Sequence, residues 1–206
     1  QHVIGPQPAR RGARLAQVPR LTQQLQEAHQ QLVNASAQDA ALSTAAEWML
    51  DNYYVVVQAL TQIEEDLPET YYHELPKLVA DGPLPGSGRA GEPRIYAAAH
   101  AFWAHEEHQL DHGRLSRFVA AYQQVHAFTM GELWAAPTML RLSLLETLAE
   151  AAAHISAPTG LKAWEDNASS APVSPSAPNH NHIVANCIIS LRHLNSQDWS
   201  HFFEGV

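Results

Sequence analysis

Residues 66–78 read DLPETYYHELPKL, and the residue types gathered there could do sugar chemistry. Asp66, Glu69 and Glu74, with Glu64 and Glu65 just before them, offer candidates for a general acid and a general base. Glycoside hydrolysis wants two such carboxylates roughly 5–10 Å apart across a cleft. Tyr71 and Tyr72 could stack on sugar rings, although adjacent residues on a helix point about 100° apart and cannot form one flat platform. The competing reading is a corner between two helices, in which the prolines fix the backbone, one tyrosine packs inward, and Lys77 or Arg94 pairs with Glu74 or Asp66. Aromatics that could widen a carbohydrate surface are Trp103 and Trp134, beside Tyr71, Tyr72 and Glu74. Large aromatics are usually buried, so core packing competes at each of these positions.

The densest polar cluster is HAFWAHEEHQLDH, with His100, His105, Glu106, Glu107, His108, Asp111 and His112. On one helix His108 and His112 would face the same way, with His105 beside them, and two histidines plus a carboxylate can hold zinc. The HExxH order is absent and no cysteine helps, so the bland reading, a solvated helix end, is preferred and no metal is assigned. Other signatures are missing. The segment PLPGSGRAGEP lacks the lysine and the flanking strand of a phosphate loop, and there is no GxSxG elbow. No catalytic residue and no cofactor are assigned to this chain.

The elements that must position these residues read as helix after helix. Val18, Leu21, Leu25, Ala28 and Leu32 form one stripe. Thr44 and Glu47 make a capping-box pattern opening a second helix that carries Met49, Tyr53, Val56, Leu60 and Ile63 and stops at Pro68. A short helix fits 69–75. Pro93 suits the first turn of the next, Leu115 to Tyr122 mark another, and Thr129 with Glu132 caps a long helix to about His154. Pro137 predicts a kink or break in it. A last helix holds Ile183, Val184, Ile188, Leu191 and Leu194. The expectation is an all-α, irregular bundle of about six helices. Its parts are a disordered tail at 1–13, a helical domain at 14–155, a Pro/Ser-rich linker at 156–182 and a C-terminal helix with an aromatic end at 183–206. The sequon at Asn167 falls in the linker and is given no weight.

Composition bounds the function. The chain has 206 residues, 46% apolar, with 5 Trp, 6 Tyr and 5 Phe, enough for a core. A formal net charge of -9 argues against nucleic acid and anionic lipid as partners. The single cysteine, Cys187, cannot form an intramolecular disulfide. The most apolar run, 133–148, is broken by Pro137, Arg141 and Glu146, so direct membrane insertion is not expected. The first residue is Gln, which reads as a fragment or a processed piece.

Several stretches in order resemble the N-terminal region of cyclic β-1,2-glucan synthases, glycosyltransferase family 84. They are AAEWMLDNYYVVVQALTQIEEDLPETYYHELPKL (45–78), PRIYAAAHAFWAH (93–105), RFVAAYQQV (117–125), TMGELWAAPTMLRLSLLETL (129–148) and IVANCIISLRHLNSQDWSHFFEGV (183–206). The resemblance covers most of 40–150 and 183–206. It departs from the family at His105 to His108, where the family has AHTDS, and at 156–182, which stands in place of a longer helical stretch.

The resemblance implies a parent enzyme that builds cyclic β-1,2-glucan from UDP-glucose at the bacterial inner membrane. No catalytic residue of that family maps onto this segment. The expected role is a non-catalytic helical module, cytoplasmic or on the cytoplasmic face of the inner membrane as part of a larger protein. It would scaffold or regulate the remainder of a synthase polypeptide, its main partner. Trp199, Phe202 and Phe203 are the candidate docking residues. Two rivals are a stand-alone module binding β-1,2-glucan, and an inactive remnant of a split synthase.

Overall fold

The middle of one helix of this chain is buried on all sides, and other helices pack around it. The helix runs from Met130 to Ser156, and every residue from 135 to 145 is buried. A helix that is apolar all round belongs inside a protein. The computed structural model describes residues 14–38, 40–79, 89–157 and 179–199. Among them are eight α-helices and no strand beyond a lone bridge between Lys77 and Pro93.

They are α1 (Val18–Ala37), α2 (Thr44–Asp51), α3 (Tyr53–Asp66), α4 (Glu69–Glu74), α5 (Arg94–His105), α6 (His112–Val125), α7 (Met130–Ser156) and α8 (His180–Ser196). Helices α1, α3, α5 and α8 pack on α7, and α2 fills the space between α1 and α8. No helix among the described residues is long and apolar enough to cross a membrane. The expected disordered tail at 1–13 and most of the expected linker lie outside the described residues. Helix α7 reaches Ser156 and α8 begins at His180, inside the span read as linker.

Among the described residues the all-α architecture stands, with eight α-helices where about six are expected. Part of the difference is a break at Asn52. The run read as one helix is two, because Asn52 leaves helical geometry (φ -115°, ψ 14°). Both its backbone N–H and its side-chain amide donate to the Trp48 carbonyl, at 3.1 and 2.9 Å. The cap of α2 is also one residue earlier than expected. Ser43 Oγ accepts from the Ala46 N–H at 3.2 Å, whereas Thr44 is already helical. In contrast, the capping box at Thr129 and Glu132 forms as expected.

Residues 66–78 are built as a joint. Pro68 precedes α4 and Pro76 follows it. Among the described residues Lys77 pairs with no carboxylate. Its Nζ donates to the carbonyls of Tyr72, His73 and Leu75 at 3.0, 3.1 and 3.2 Å, closing the end of α4. A short clasp follows: Leu78 N–H donates to the Glu92 carbonyl at 2.9 Å and Arg94 N–H to the Pro76 carbonyl at 2.8 Å. Arg94 finds its acid on α7, in a fully buried ion pair with Glu132. Its guanidinium also reaches His126 Nδ1 at 2.8 Å and the Ala127 carbonyl at 3.0 Å.

The histidine cluster does not lie on one helix face. Helix α5 ends at His105, and Glu107 and His108 turn left-handed, at φ 50° and 63°. The His108 N–H donates to the Trp103 carbonyl at 3.1 Å, a closing bond of the kind that ends helices in a left-handed turn. Asn186 and Ser190 of α8, both buried, hold the turn. Asn186 Nδ2 donates to the Glu107 carbonyl at 3.0 Å, and Ser190 Oγ donates to the His108 carbonyl and accepts from the Leu110 N–H, both at 2.8 Å. Among the described residues no three His, Cys, Asp or Glu side chains gather as metal ligands.

Candidate functional site: an aromatic groove at the start of the central helix

The first three turns of α7 carry one stripe of unlike residues: Met130, Trp134, Pro137, Thr138 and Arg141. Spacings of three and four put these on a single face. The N-terminal end of that face is open, with Met130 70% and Trp134 73% exposed. Deeper in, Thr138 and Arg141 are buried, at 2% and 4% exposure. Asp66 at the end of α3, Tyr71 on α4 and Trp199 just after α8 supply the facing walls. Together these residues and Gly131 line a groove of about 520 Å3, within the range of roughly 300–1,000 Å3 common for small-molecule clefts.

Each wall is tied down. The Tyr71 hydroxyl donates to the Gly131 carbonyl at 2.5 Å, which fixes α4 against the first turn of α7. Arg141 donates from Nε to Asn195 Oδ1 at 3.2 Å and from Nη2 to the Leu194 carbonyl at 3.0 Å. The Trp199 indole N–H donates to the same carbonyl at 3.1 Å. The last turn of α8 is thereby capped by a cation and an indole, both of which also face the groove. Burial lowers the basicity of Arg141 and the nearby Asp66 carboxylate opposes that shift. Asp66 forms no ion pair among the described residues, so the two charges face the groove without closing on each other.

Two polar groups on this face have unused capacity. The Thr138 hydroxyl makes no hydrogen bond among the described residues, although Ser143 and Thr147 on the same helix bond back to its carbonyls. Pro137 has no N–H, so the Leu133 carbonyl lacks the donor that a regular helix would give it.

The structure sorts the expected sugar-contacting residues into two groups. Tyr71 and Trp134 line the groove, joined by Trp199, which was expected to dock a partner. Tyr72 and Trp103 are core. Tyr72 is 2% exposed, with its phenol pushed up to about 12 chiefly by burial, and Lys77 Nζ sits 5.2 Å from its ring centroid. Trp103 is 1% exposed and donates its indole N–H to the Leu140 carbonyl at 3.0 Å, so neither ring offers a face to a ligand. Glu74 is exposed and lies outside the groove. Phe202 and Phe203 lie outside the described residues. Of the five acids weighed for hydrolysis, Asp66 alone lines the groove.

Sequence reasoning missed Met130, Thr138 and Arg141. A usable signal was present: Thr138 and Arg141 are polar residues within the apolar run LWAAPTMLRL, three apart and therefore on one helix face.

No protein-family model matches this chain. Among curated proteins, the cyclic beta-(1,2)-glucan synthase NdvB of Rhizobium meliloti (strain 1021) is 32% identical over 123 residues. That stretch takes in 60% of this chain and 4% of the synthase, so the chain spans only a small part of its relative's length. The likeness is that of a distant relative to one segment of a very large glucan-synthesising protein.

Proposed function

We propose that the chain is a non-catalytic helical module of a cyclic β-1,2-glucan synthase-like glycosyltransferase, one that supports glucan synthesis from UDP-glucose without performing a chemical step. The observation that carries this reading is the 32% identity over 123 residues to the Rhizobium meliloti synthase. The groove's chemistry agrees with it. Among the described residues Asp66 is the one carboxylate that lines the groove, with no second acid across it to share glycoside hydrolysis. The aromatic and cationic surface is suited to holding rather than reacting. On this reading the partner is the rest of a synthase polypeptide, and the module sits at the cytoplasmic face of the inner membrane.

A second reading, a β-glucan-binding module, is favoured by one specific arrangement: Tyr71, Trp134 and Trp199 line a single groove. The two readings are compatible, since a module that holds glucan near the catalytic parts would support synthesis.

The test has two arms. The purified chain, given UDP-glucose or β-1,2-glucan, is expected neither to transfer nor to cleave. Removal of the matched segment from the Rhizobium meliloti synthase is expected to lower glucan production. Turnover by the isolated chain, or undiminished production without the segment, would overturn the proposal.

A further inference from the structure

We infer that the groove formed by Asp66, Tyr71, Trp134, Thr138, Arg141 and Trp199 is a binding subsite for a neutral, β-linked glucosyl chain. The inference rests on the glucan-binding reading above and adds the subsite, its contacts and the charge state of its ligand.

Three features of the groove choose this class of ligand. The first is an indole exposed over most of its surface beside a second indole and a phenol. A β-linked glucosyl ring presents a flat face of C–H groups with its hydroxyls around the edge, and rigid amphipathic aromatics suit such a face. The second is the set of buried polar groups at the groove floor. Arg141 is 96% buried (4% exposed) and commits Nε and Nη2 to α8, while its Nη1 donors make no hydrogen bond among the described residues. The Thr138 hydroxyl is in the same position. An apolar helix or a second copy laid into the groove would bury these groups unpaired, which is unfavourable. Sugar hydroxyls both donate and accept, and satisfy them. The third is charge. Arg141 alone would favour a phosphate or a nucleotide, but Asp66 on the facing wall repels an anion. A neutral polyol can accept from Arg141 and donate to Asp66 at once.

The geometry gives each residue a role. Trp134, with Tyr71 and Trp199, supplies the apolar walls, and the exposed position of Trp134 at the mouth makes it the ring a sugar meets first. Arg141, Thr138 and Asp66 read the hydroxyls.

The experiment is a titration of the whole chain with a linear β-1,2-linked glucose oligosaccharide, followed by tryptophan fluorescence and calorimetry. Saturable binding is expected with a dissociation constant of about 1 mM. Trp134→Ala, at an exposed position, is expected to leave the circular-dichroism melt unchanged and to weaken binding at least about tenfold. Thr138→Val, nearly the same shape, is expected to weaken it severalfold. A matched α-1,4-linked oligosaccharide serves as the control and is expected to bind more weakly.

Absence of saturation at about 10 mM sugar would overturn the inference, as would undiminished affinity in Trp134→Ala. Tighter binding of UDP or inorganic phosphate than of the neutral glycan would also overturn it, as would a Trp134-dependent dimer in light scattering. The module reading fails separately. If the segment proves necessary for glucan production while the sugar does not bind, only the subsite falls. If the sugar binds while the segment is dispensable, only the module falls.

Discussion

The Arg94 guanidinium sits in the first turn of α5, the end of a helix where positive charge is least favourable. Glu132 offsets this from α7. The pair is fully buried, and the same carboxylate accepts the Thr129 backbone N–H at 2.8 Å as the reciprocal half of the capping box. One side chain thus starts α7 and holds α5 to it. Breaking a buried pair strands a charge and costs about 3–5 kcal/mol. Glu132→Ala is expected to lose that much stability in urea denaturation. An Arg94→Met, Glu132→Leu double variant is expected to recover most of it, since it removes both charges. The capping box was legible in the sequence because it is local, its two members three positions apart. The ion pair was not, because its partners are 38 residues apart and several carboxylates were equally plausible partners for Arg94.

At the scale of elements, local chemistry decides where helices stop, and two points are testable. Glu107 occupies a left-handed position at the end of α5 that glycine fills without strain. Glu107→Gly is expected to raise stability by about 1 kcal/mol, read as a higher thermal midpoint. Ser190→Ala should do the opposite. It takes away the group that pairs with both the His108 carbonyl and the Leu110 N–H, at a cost of about 1–3 kcal/mol for stranding such groups. The His-rich run looked continuous with α5 as far as the break expected at 111–113, because nothing between His105 and Leu110 breaks a helix by composition. The break comes from α8, whose Asn186 and Ser190 reward the turned backbone from about 80 residues away in sequence. Helices with one apolar stripe were read well: Val18, Leu21, Leu25, Ala28 and Leu32 of α1 are all buried. Helix α7 was harder, since apolar residues on every side say that it is central but not which turn emerges. Trp103 and Trp134 both stand in apolar helical runs, yet one is 1% and the other 73% exposed. The groove draws its residues from α3, α4, α7 and the end of α8, and no local pattern could assemble it.

Across the whole molecule, histidines tie stability to pH. His29 stacks on Tyr53 at 3.9 Å between ring centroids, and His180 stacks on His154 at 4.1 Å. His29, His108 and His180 all have pKa values lowered from 6.5, chiefly by burial, with a neighbouring histidine adding to the shift for His108 and His180. The unfolded chain therefore takes up these protons more readily than the folded one. Stability is full above the unfolded value of 6.5 and falls as pH drops below it toward the lowered folded values. The urea midpoint is expected to be lower at pH 5.5 than at pH 7.5, with a shallower slope in His29→Gln. A midpoint that rises on acidification would contradict this assignment.

The most direct measurement of the account is cyclic β-1,2-glucan production by cells carrying the Rhizobium meliloti synthase with its matched segment replaced by this chain. The account predicts that the replacement sustains synthesis where deletion of the segment does not, and that Trp134→Ala in the replacement lowers the yield. Equal synthesis with the segment deleted, replaced or mutated would contradict it.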